Sequence, residues 1–176
     1  MQEKIACGRE GGMRAVLVTR VAAGYQRCAV DTDPPSNSPP LGRHRIEVCP
    51  AVGDIDELEH VSNQVYLRWI LQAALSHSDA LGWGAAEYRR LGAVWVVRRH
   101  EIDYARATLL GEALAVSTWV DSWKRVSCVR KTELVRVTDA QLVCRAATTW
   151  AFVSFAQGRP TKIPEAMRAA FEVATL

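Results

Sequence analysis

The stretch 54–69 contains the residues whose types and spacing best suit chemistry, because it joins an acidic turn to the start of an amphipathic helix. Ser62 or Asn63 can serve as the helix N-cap, since a short side-chain oxygen accepts hydrogen bonds from the unpaired amides of the first turn. The positive end of the helix dipole then faces Asp56 and His60. A carboxylate beside free backbone amides suits acyl chemistry, in which the carboxylate attacks or activates water and the amides hold an oxyanion.

The helix that must position these groups is predicted from about Ser62 to Ser78. Five of its residues recur three or four positions apart, which is the spacing of one helical face: Tyr66, Trp69, Ile70, Ala73 and His77. A lone histidine on such a face is more often a packed residue than a catalytic one. A second, shorter helix is predicted over 85–91, and Gly92 suits its C-cap.

The remaining elements are strands joined by short turns. The period-two pattern predicts strands at 44–52, 93–106, 112–123, 128–137 and 141–155, and a terminal helix that opens at Pro164 and Glu165. One long helix followed by consecutive strands predicts an α+β fold, with the helix on one face of an antiparallel sheet. A single sheet of this kind leaves apolar surface uncovered, so we expect at least a homodimer.

Composition indicates one globular domain without a membrane span. Hydrophobic residues make up 49% of the chain and charged residues 23%, and the net charge of +3 is too small to indicate nucleic-acid binding. The five cysteines are scattered without a CxxC pair or metal-ligand spacing: Cys7, Cys28, Cys49, Cys128 and Cys144. This pattern favours reduced thiols and a cytoplasmic location over a disulfide framework.

Residues 1–43 differ from the rest of the chain. The proline-rich cluster at 31–40 is typical of a linker or disorder. A disordered extension, a short extra strand and an over-extended start of translation remain open. We expect 1–43 to be a disordered or loosely packed N-terminal extension without function, and 44–176 to be the folded domain.

The acidic stretch resembles the signature of the 4-hydroxybenzoyl-CoA thioesterase family of hotdog-fold enzymes. That signature reads roughly Asp-x-Asp-x-x-Gly-His-Val-Asn-Asn-x-x-Tyr-Leu-x-Trp/Tyr, and the matching positions are Asp54, Asp56, His60, Val61, Asn63, Tyr66, Leu67 and Trp69. Glu59 stands where the family usually has Gly, and Ser62 where it often has the first Asn. If that Gly has a positive φ, Glu59 costs strain or the loop differs.

The resemblance continues downstream and covers about residues 44–172. Residues 102–112 are similar to the family's Ile-Asp-Tyr-x-Arg-Pro-Ala-x-x-Gly-Asp, and 124–127 to its Gly-Arg-Thr-Ser. Residues 158–165 resemble its closing Gly-Arg-Pro segment. The resemblance implies a hotdog fold, an antiparallel sheet wrapped around one long central helix. It also implies homodimers, often joined into homotetramers, with active sites at the subunit interface.

The activity implied by the resemblance is hydrolysis of an acyl-CoA thioester. Asp56 aligns with the family's catalytic carboxylate and would act as nucleophile or general base. Backbone amides around His60 to Asn63 would stabilise the oxyanion, and either of these two side chains would orient substrate or water. The resemblance implies no metal or redox cofactor.

The predicted substrate-binding residues are Glu59, Val61, Ser62, Tyr66, Trp69, Lys124, Arg125 and Ser127. The acyl chain would lie in a groove between subunits beside Tyr66 and Trp69. Lys124, Arg125 and Ser127 would hold the CoA phosphates, for which ammonium, guanidinium and hydroxyl donors are suited. An ordinary solvated hairpin turn explains these three residues about as well.

Two alternative functions remain open. One is a thioesterase acting on acyl carrier protein, since the same basic residues could contact an acidic carrier. A hydratase on this fold is disfavoured, because its Asn-Pro-x-His setting is absent. The other is a non-catalytic acyl-CoA binding module, which Glu59 favours.

Overall fold

The computed structural model describes residues 42–173. The elements are β1 (His44–Val48), a 3₁₀ turn (Val52–Asp54), α1 (Asn63–Ala80), α2 (Ala85–Leu91), β2 (Ala93–Tyr104), β3 (Leu114–Trp123), β4 (Ser127–Arg136), β5 (Leu142–Ser154) and α3 (Glu165–Val173). Every predicted helix and strand is present, with ends that differ by a few residues. The prediction for the N-terminal extension falls outside the described residues, apart from its last two positions.

The five strands form one antiparallel sheet in the order β1-β3-β4-β5-β2. The register aligns one end of every strand at the same end of the sheet, here called the acidic end: Val48, Leu114, Arg136, Leu142 and Tyr104. The opposite end, here called the aromatic end, holds Trp123, Ser127, Ser154 and Ala93, whereas the shorter β1 stops at His44 opposite Thr118. The predicted α+β architecture is therefore confirmed.

Helix α1 packs on one face of this sheet through the face that the sequence predicts. All five residues of that face are buried, and Trp69 and Ala73 have no exposed surface. Burying an aromatic or aliphatic side chain of this size contributes about 1.5–3 kcal/mol, so the face fixes the helix on the sheet. The sheet and helix thus hold the start of α1 at the acidic end.

The connection from α2 to β2 reverses the chain at Gly92. This residue has φ 64° and occupies the left-handed C-cap position, as the sequence predicts. Its amide donates to the carbonyl oxygens of Arg89 and Tyr88, which closes the helix before the strand begins.

The cysteines depart in part from expectation. Cys128 and Cys144 are buried free thiols, and burial raises the pKa of each to about 12. Cys49, in contrast, is disulfide-bonded, so the expectation of reduced thiols is wrong at this position. Spacing along the sequence does not reveal which sulfur atoms the fold brings together.

Candidate active site

The acidic motif folds as a closed loop between the 3₁₀ turn and α1. Ile55 and Val61 form an isolated antiparallel bridge, and the Asp56 amide donates to the His60 carbonyl oxygen at 2.8 Å. The Val61 amide donates to the carbonyl oxygen of Thr108 at 2.9 Å, which ties the loop to the segment after β2. Asp56 and His60 are therefore held at the acidic end by backbone hydrogen bonds.

The Asp56 side chain is exposed and oriented by the loop itself. Its Oδ1 accepts from the amides of Leu58 at 2.9 Å and His60 at 3.3 Å. Its Oδ2 accepts no hydrogen bond from the described part of the chain. One carboxylate oxygen is thus fixed, and the other is open to a substrate or a water molecule.

Glu59 has a positive φ of 61°, so the loop adopts the left-handed conformation despite the residue that stands there. The side chain is exposed and forms no ion pair within residues 42–173. The sequence left two outcomes open, strain or a different loop, and this geometry corresponds to strain. The left-handed conformation costs an L-residue with a Cβ roughly 1–2 kcal/mol.

The start of α1 presents fewer free amides than the sequence suggests. The amides of His60, Val61 and Ser62 already donate to Asp56 Oδ1, to Thr108 and to the Asp54 carbonyl oxygen. Among the described residues, the amides of Asn63 and Gln64 have no acceptor. They are the two donors that remain for an oxyanion at this helix terminus.

Ser62 occupies the N-cap position, with extended backbone angles of φ −59° and ψ 143°. Its side chain forms no cap hydrogen bond. The predicted cap position is therefore correct, while the predicted hydroxyl contact is not made. The hydroxyl does not cover the two free amides of the first turn.

Asp54, the first carboxylate of the motif, has a structural role. It is 8% exposed, and its Oδ2 accepts from the Ala51 amide at 3.0 Å. Its Oδ1 accepts from the Arg68 guanidinium on α1. These contacts fix the loop against the helix, and they leave Asp56 as the carboxylate with an open oxygen.

The two aromatic residues predicted beside the acyl chain are buried within one chain. Tyr66 is 3% exposed and contacts Tyr104 edge-on, with ring centroids 5.3 Å apart. Burial raises the pKa of Tyr66 above its usual range. Trp69 is fully buried in the core cluster and has no exposed surface on this subunit, so its contact with the acyl chain stays a prediction.

The basic turn lies far from Asp56 in the same chain. Lys124 and Arg125 are exposed in the β3–β4 turn at the aromatic end, where the Lys124 amide donates to the Ser127 carbonyl oxygen at 2.7 Å. Strand β3 separates this turn from the acidic end, and ten residues of strand span about 33 Å. One chain does not bring the turn and Asp56 together.

Sequence reasoning missed a buried polar cluster at the aromatic end. Arg130 on β4 is 5% exposed, and its Nη1 donates to Nδ1 of His77 at 3.0 Å and to Thr118 Oγ1 at 3.3 Å. The His77 ring stacks on His44, with centroids 5.2 Å apart. The signal was available, because strand alternation puts Arg130 between the inward-facing Cys128 and Thr132.

The protonation states in this cluster follow from burial. Burial, then the neighbouring Arg130 charge, lowers the pKa of His77 to about 3, so its imidazole is neutral and accepts a hydrogen bond from the guanidinium. Burial also lowers the pKa of Arg130 to about 10, which leaves it charged at neutral pH. The expectation that His77 is a packed residue is confirmed.

The described residues were also compared with what a metal site and a membrane span require. Residues 42–173 contain no group of three or more His, Cys, Asp or Glu side chains arranged to hold a metal ion. In the same part of the chain, no helix combines the length and apolarity needed to cross a membrane.

Comparison with solved structures gives the fold. A structure provisionally assigned as an oleoyl thioesterase, from Lactobacillus plantarum, superposes with a TM-score of 0.71 at 19% identity, over 75% of this chain and 53% of that one. The chain thus spans about half the length of that structure. The 1,4-dihydroxy-2-naphthoyl-CoA thioesterase of Synechocystis gives a TM-score of 0.68 at 17% identity, over 73% of this chain and 95% of that one.

A hypothetical protein of Staphylococcus aureus, solved in complex with CoA, gives a TM-score of 0.72 at 14% identity, over 80% of this chain and 88% of that one. Identities this low establish a shared fold. No curated protein matches the chain.

The solved structures show the fold, and a family model shows the family. The model of the thioesterase-like superfamily matches residues 50–171, which include the acidic loop, α1, α2, most of α3 and four of the five strands. The predicted hotdog fold and the predicted enzyme class, a thioesterase, are those of this family. The chain belongs to the thioesterase-like superfamily.

Proposed function

We propose that this protein hydrolyses an acyl-CoA thioester to the free acid and CoA. One observation carries the proposal. Asp56 has one fixed and one open carboxylate oxygen, and the amides of Asn63 and Gln64 at the nearby start of α1 are free. The acyl-CoA substrate class is supported by the neighbour that acts on a naphthoyl-CoA and by the neighbour solved with CoA.

In the proposed reaction, the thioester carbonyl oxygen faces the start of α1. Asp56 either attacks the acyl carbon itself or removes a proton from the water that does so. The amides of Asn63 and Gln64 stabilise the developing oxyanion, aided by the positive end of the helix dipole. The carbon–sulfur bond then breaks, the CoA thiolate takes up a proton, and water supplies the oxygen of the released acid, directly or through an acyl–Asp56 anhydride. His60 and Asn63 orient the substrate or the water.

A second copy of the chain completes the site in this proposal. Strand β2 is an edge strand of twelve residues, and Val96 and Tyr104 on it expose 42% and 44% of their surface. A long edge strand with exposed apolar side chains favours pairing with another chain. Pairing of this kind would supply Lys124, Arg125 and Ser127 from the partner for the CoA phosphates, as a homodimer or within a homotetramer.

One alternative keeps the chemistry and changes the carrier. The exposed Lys124 and Arg125 suit an acidic carrier protein as well as CoA phosphates. A non-catalytic acyl-CoA module is the other alternative, but the open Asp56 oxygen disfavours it. The cytoplasmic location and the role of 1–43 remain predictions.

The test compares decanoyl-CoA, decanoyl carrier protein and the short thioester decanoyl-N-acetylcysteamine, by following thiol release. The proposal predicts turnover of the CoA substrate at the highest kcat/KM. It also predicts that Lys124→Ala/Arg125→Ala raises KM for decanoyl-CoA and leaves the N-acetylcysteamine thioester unaffected. Preferential turnover of the carrier-protein substrate would establish the alternative, and binding without turnover of any thioester would refute hydrolysis.

A further inference from the structure

A cavity of about 490 Å³ opens at the aromatic end, between the C-terminal half of α1, α2 and the sheet. Its walls are rich in aromatic residues, which include Trp83, Tyr88, Trp95, Trp123, Trp150 and Phe171. This volume lies within the range of about 300–1,000 Å³ that is usual for small-molecule sites. The cavity lies beside Ser78, fifteen residues from the start of α1, or about 22 Å along the helix from the free amides.

Arg130 forms part of the cavity wall and has no anionic partner. Its Nη1 is occupied by two neutral acceptors, His77 and Thr118. Its Nε and Nη2 find no acceptor in the described part of the chain. They are not among the fully enclosed unpaired polar atoms, and Arg130 is one of the residues that line the cavity. No carboxylate of residues 42–173 pairs with this guanidinium.

The surroundings leave the charge of Arg130 incompletely compensated. Phe171 stacks under the guanidinium, with the Cζ atom 5.5 Å from the ring centroid, which offsets part of the desolvation. Asp79 and Arg89 also line the cavity, but both are exposed and of opposite sign, so together they add no net charge at its mouth. Desolvation destabilises an isolated buried ion, and an anion bound against it would offset part of this cost.

We propose that this cavity binds an organic carboxylate with an apolar body. The planar guanidinium presents Nε and Nη2 side by side, which matches the two oxygens of one carboxylate. The apolar part of the ligand would lie among the tryptophan and phenylalanine rings. A phosphate ester fits less well, because its second charge would be desolvated against apolar walls.

Binding in this cavity does not depend on thioester hydrolysis, although a free acid is also the product of that reaction. The experiment therefore measures equilibrium binding and not turnover. Decanoate, decanol and decyl phosphate are titrated, below their aggregation limits, into the full chain and followed by calorimetry and by tryptophan fluorescence. The four tryptophans of the wall make fluorescence sensitive to occupancy.

The expected result is that the wild type binds decanoate at least tenfold more tightly than decanol and more tightly than decyl phosphate. Arg130→Met should remove the preference for decanoate and leave decanol binding intact. Arg99→Met is the matched control, because Arg99 is an exposed β2 arginine paired with Glu101 outside the cavity. This control should keep the wild-type preference.

A second variant keeps the test decisive if Arg130→Met does not fold. Leu75 lines the cavity but is 61% exposed, so Leu75→Trp should fold and narrow the cavity. It should weaken decanoate and decanol alike by at least fivefold. Equal affinity of the wild type for decanoate and decanol, tighter binding of decyl phosphate, or unchanged decanoate binding in Leu75→Trp would each overturn the proposal.

Discussion

Replacing Glu59 with glycine should stabilise the protein. Glu59 has φ 61°, a conformation that costs an L-residue roughly 1–2 kcal/mol and costs glycine almost nothing. Glycine loses more backbone entropy on folding, which lowers the free energy of unfolding by about 0.5–1 kcal/mol. The expected net gain in the free energy of unfolding is therefore about 0.5–1 kcal/mol, or roughly 1–4 °C in Tm for a chain of this length.

The assay is urea denaturation, in which the midpoint should rise while the slope m stays constant. Two matched variants separate the backbone effect from the side-chain effect. Ala140 in the β4–β5 turn also has a positive φ, of 55°, so Ala140→Gly should give a similar gain. Glu59→Ala keeps the Cβ atom and the strain, and it should change the stability little.

Loss of stability in Glu59→Gly would refute this reasoning. So would a gain in Glu59→Ala equal to that in Glu59→Gly, because the side chain and not the backbone would then be responsible. The strain resides in a loop whose hydrogen bonds already hold Asp56, so Glu59→Gly should leave kcat within about threefold of the wild type, equivalent to less than 1 kcal/mol.

Three other predictions concern the stability of the folded chain. Because the pKa of His77 is held at about 3, against an ordinary value of 6.5, the unfolded chain takes up this proton first on acidification, and stability should fall by about 2 kcal/mol from pH 8 to pH 5. His77→Gln keeps a side-chain acceptor for Arg130 and should flatten that pH dependence in urea titrations. Asp54→Ala leaves the Ala51 amide unpaired and should cost about 1–3 kcal/mol in thermal or urea unfolding. Trp69→Ala should cost about 3–5 kcal/mol by the same measurement, because the side chain is fully buried.

Each of these three stability predictions has a result that would contradict it. If stability fell between pH 8 and pH 5 as much in His77→Gln as in the wild type, other groups would cause the pH dependence. His44 would then be the first candidate, because it stacks on His77 and burial also lowers its pKa. Wild-type stability in Asp54→Ala would mean that the Arg68 and Ala51 contacts contribute nothing to the loop. Normal stability of Trp69→Ala with a raised KM would restore its predicted role beside the acyl chain.

The elements could be predicted because their signals are local. The face of α1 follows from side chains three or four apart, and the C-cap at Gly92 follows from one residue that tolerates φ 64°. The position of Asp56 beside the start of α1 was also predictable, since only a few residues separate them.

Features that depend on long-range packing could not be predicted in the same way. The Val61 amide is occupied by Thr108, forty-seven positions later, and this removes a donor that the sequence assigned to the oxyanion. The distance between Asp56 and Lys124 is set by strand register, which the motifs do not encode. The helical spacing of Trp69 is the same whether its side chain packs in the core or lines a groove, so the sequence does not distinguish the two.

The measurement that tests the central claim most directly is release of CoA thiol from a panel of short, long and aromatic acyl-CoAs, with wild type, Asp56→Asn and Asp56→Ala compared at equal folded concentration. The proposal predicts turnover by the wild type and a loss of at least about a thousandfold in kcat for both variants, equivalent to roughly 4 kcal/mol of transition-state stabilisation. Asp56→Asn keeps an oxygen acceptor for the amides of Leu58 and His60 and should keep the wild-type thermal unfolding profile. Asp56→Ala leaves these exposed amides to water and should lower the unfolding midpoint only slightly. Wild-type binding without turnover, or full turnover in both Asp56 variants, would contradict the account.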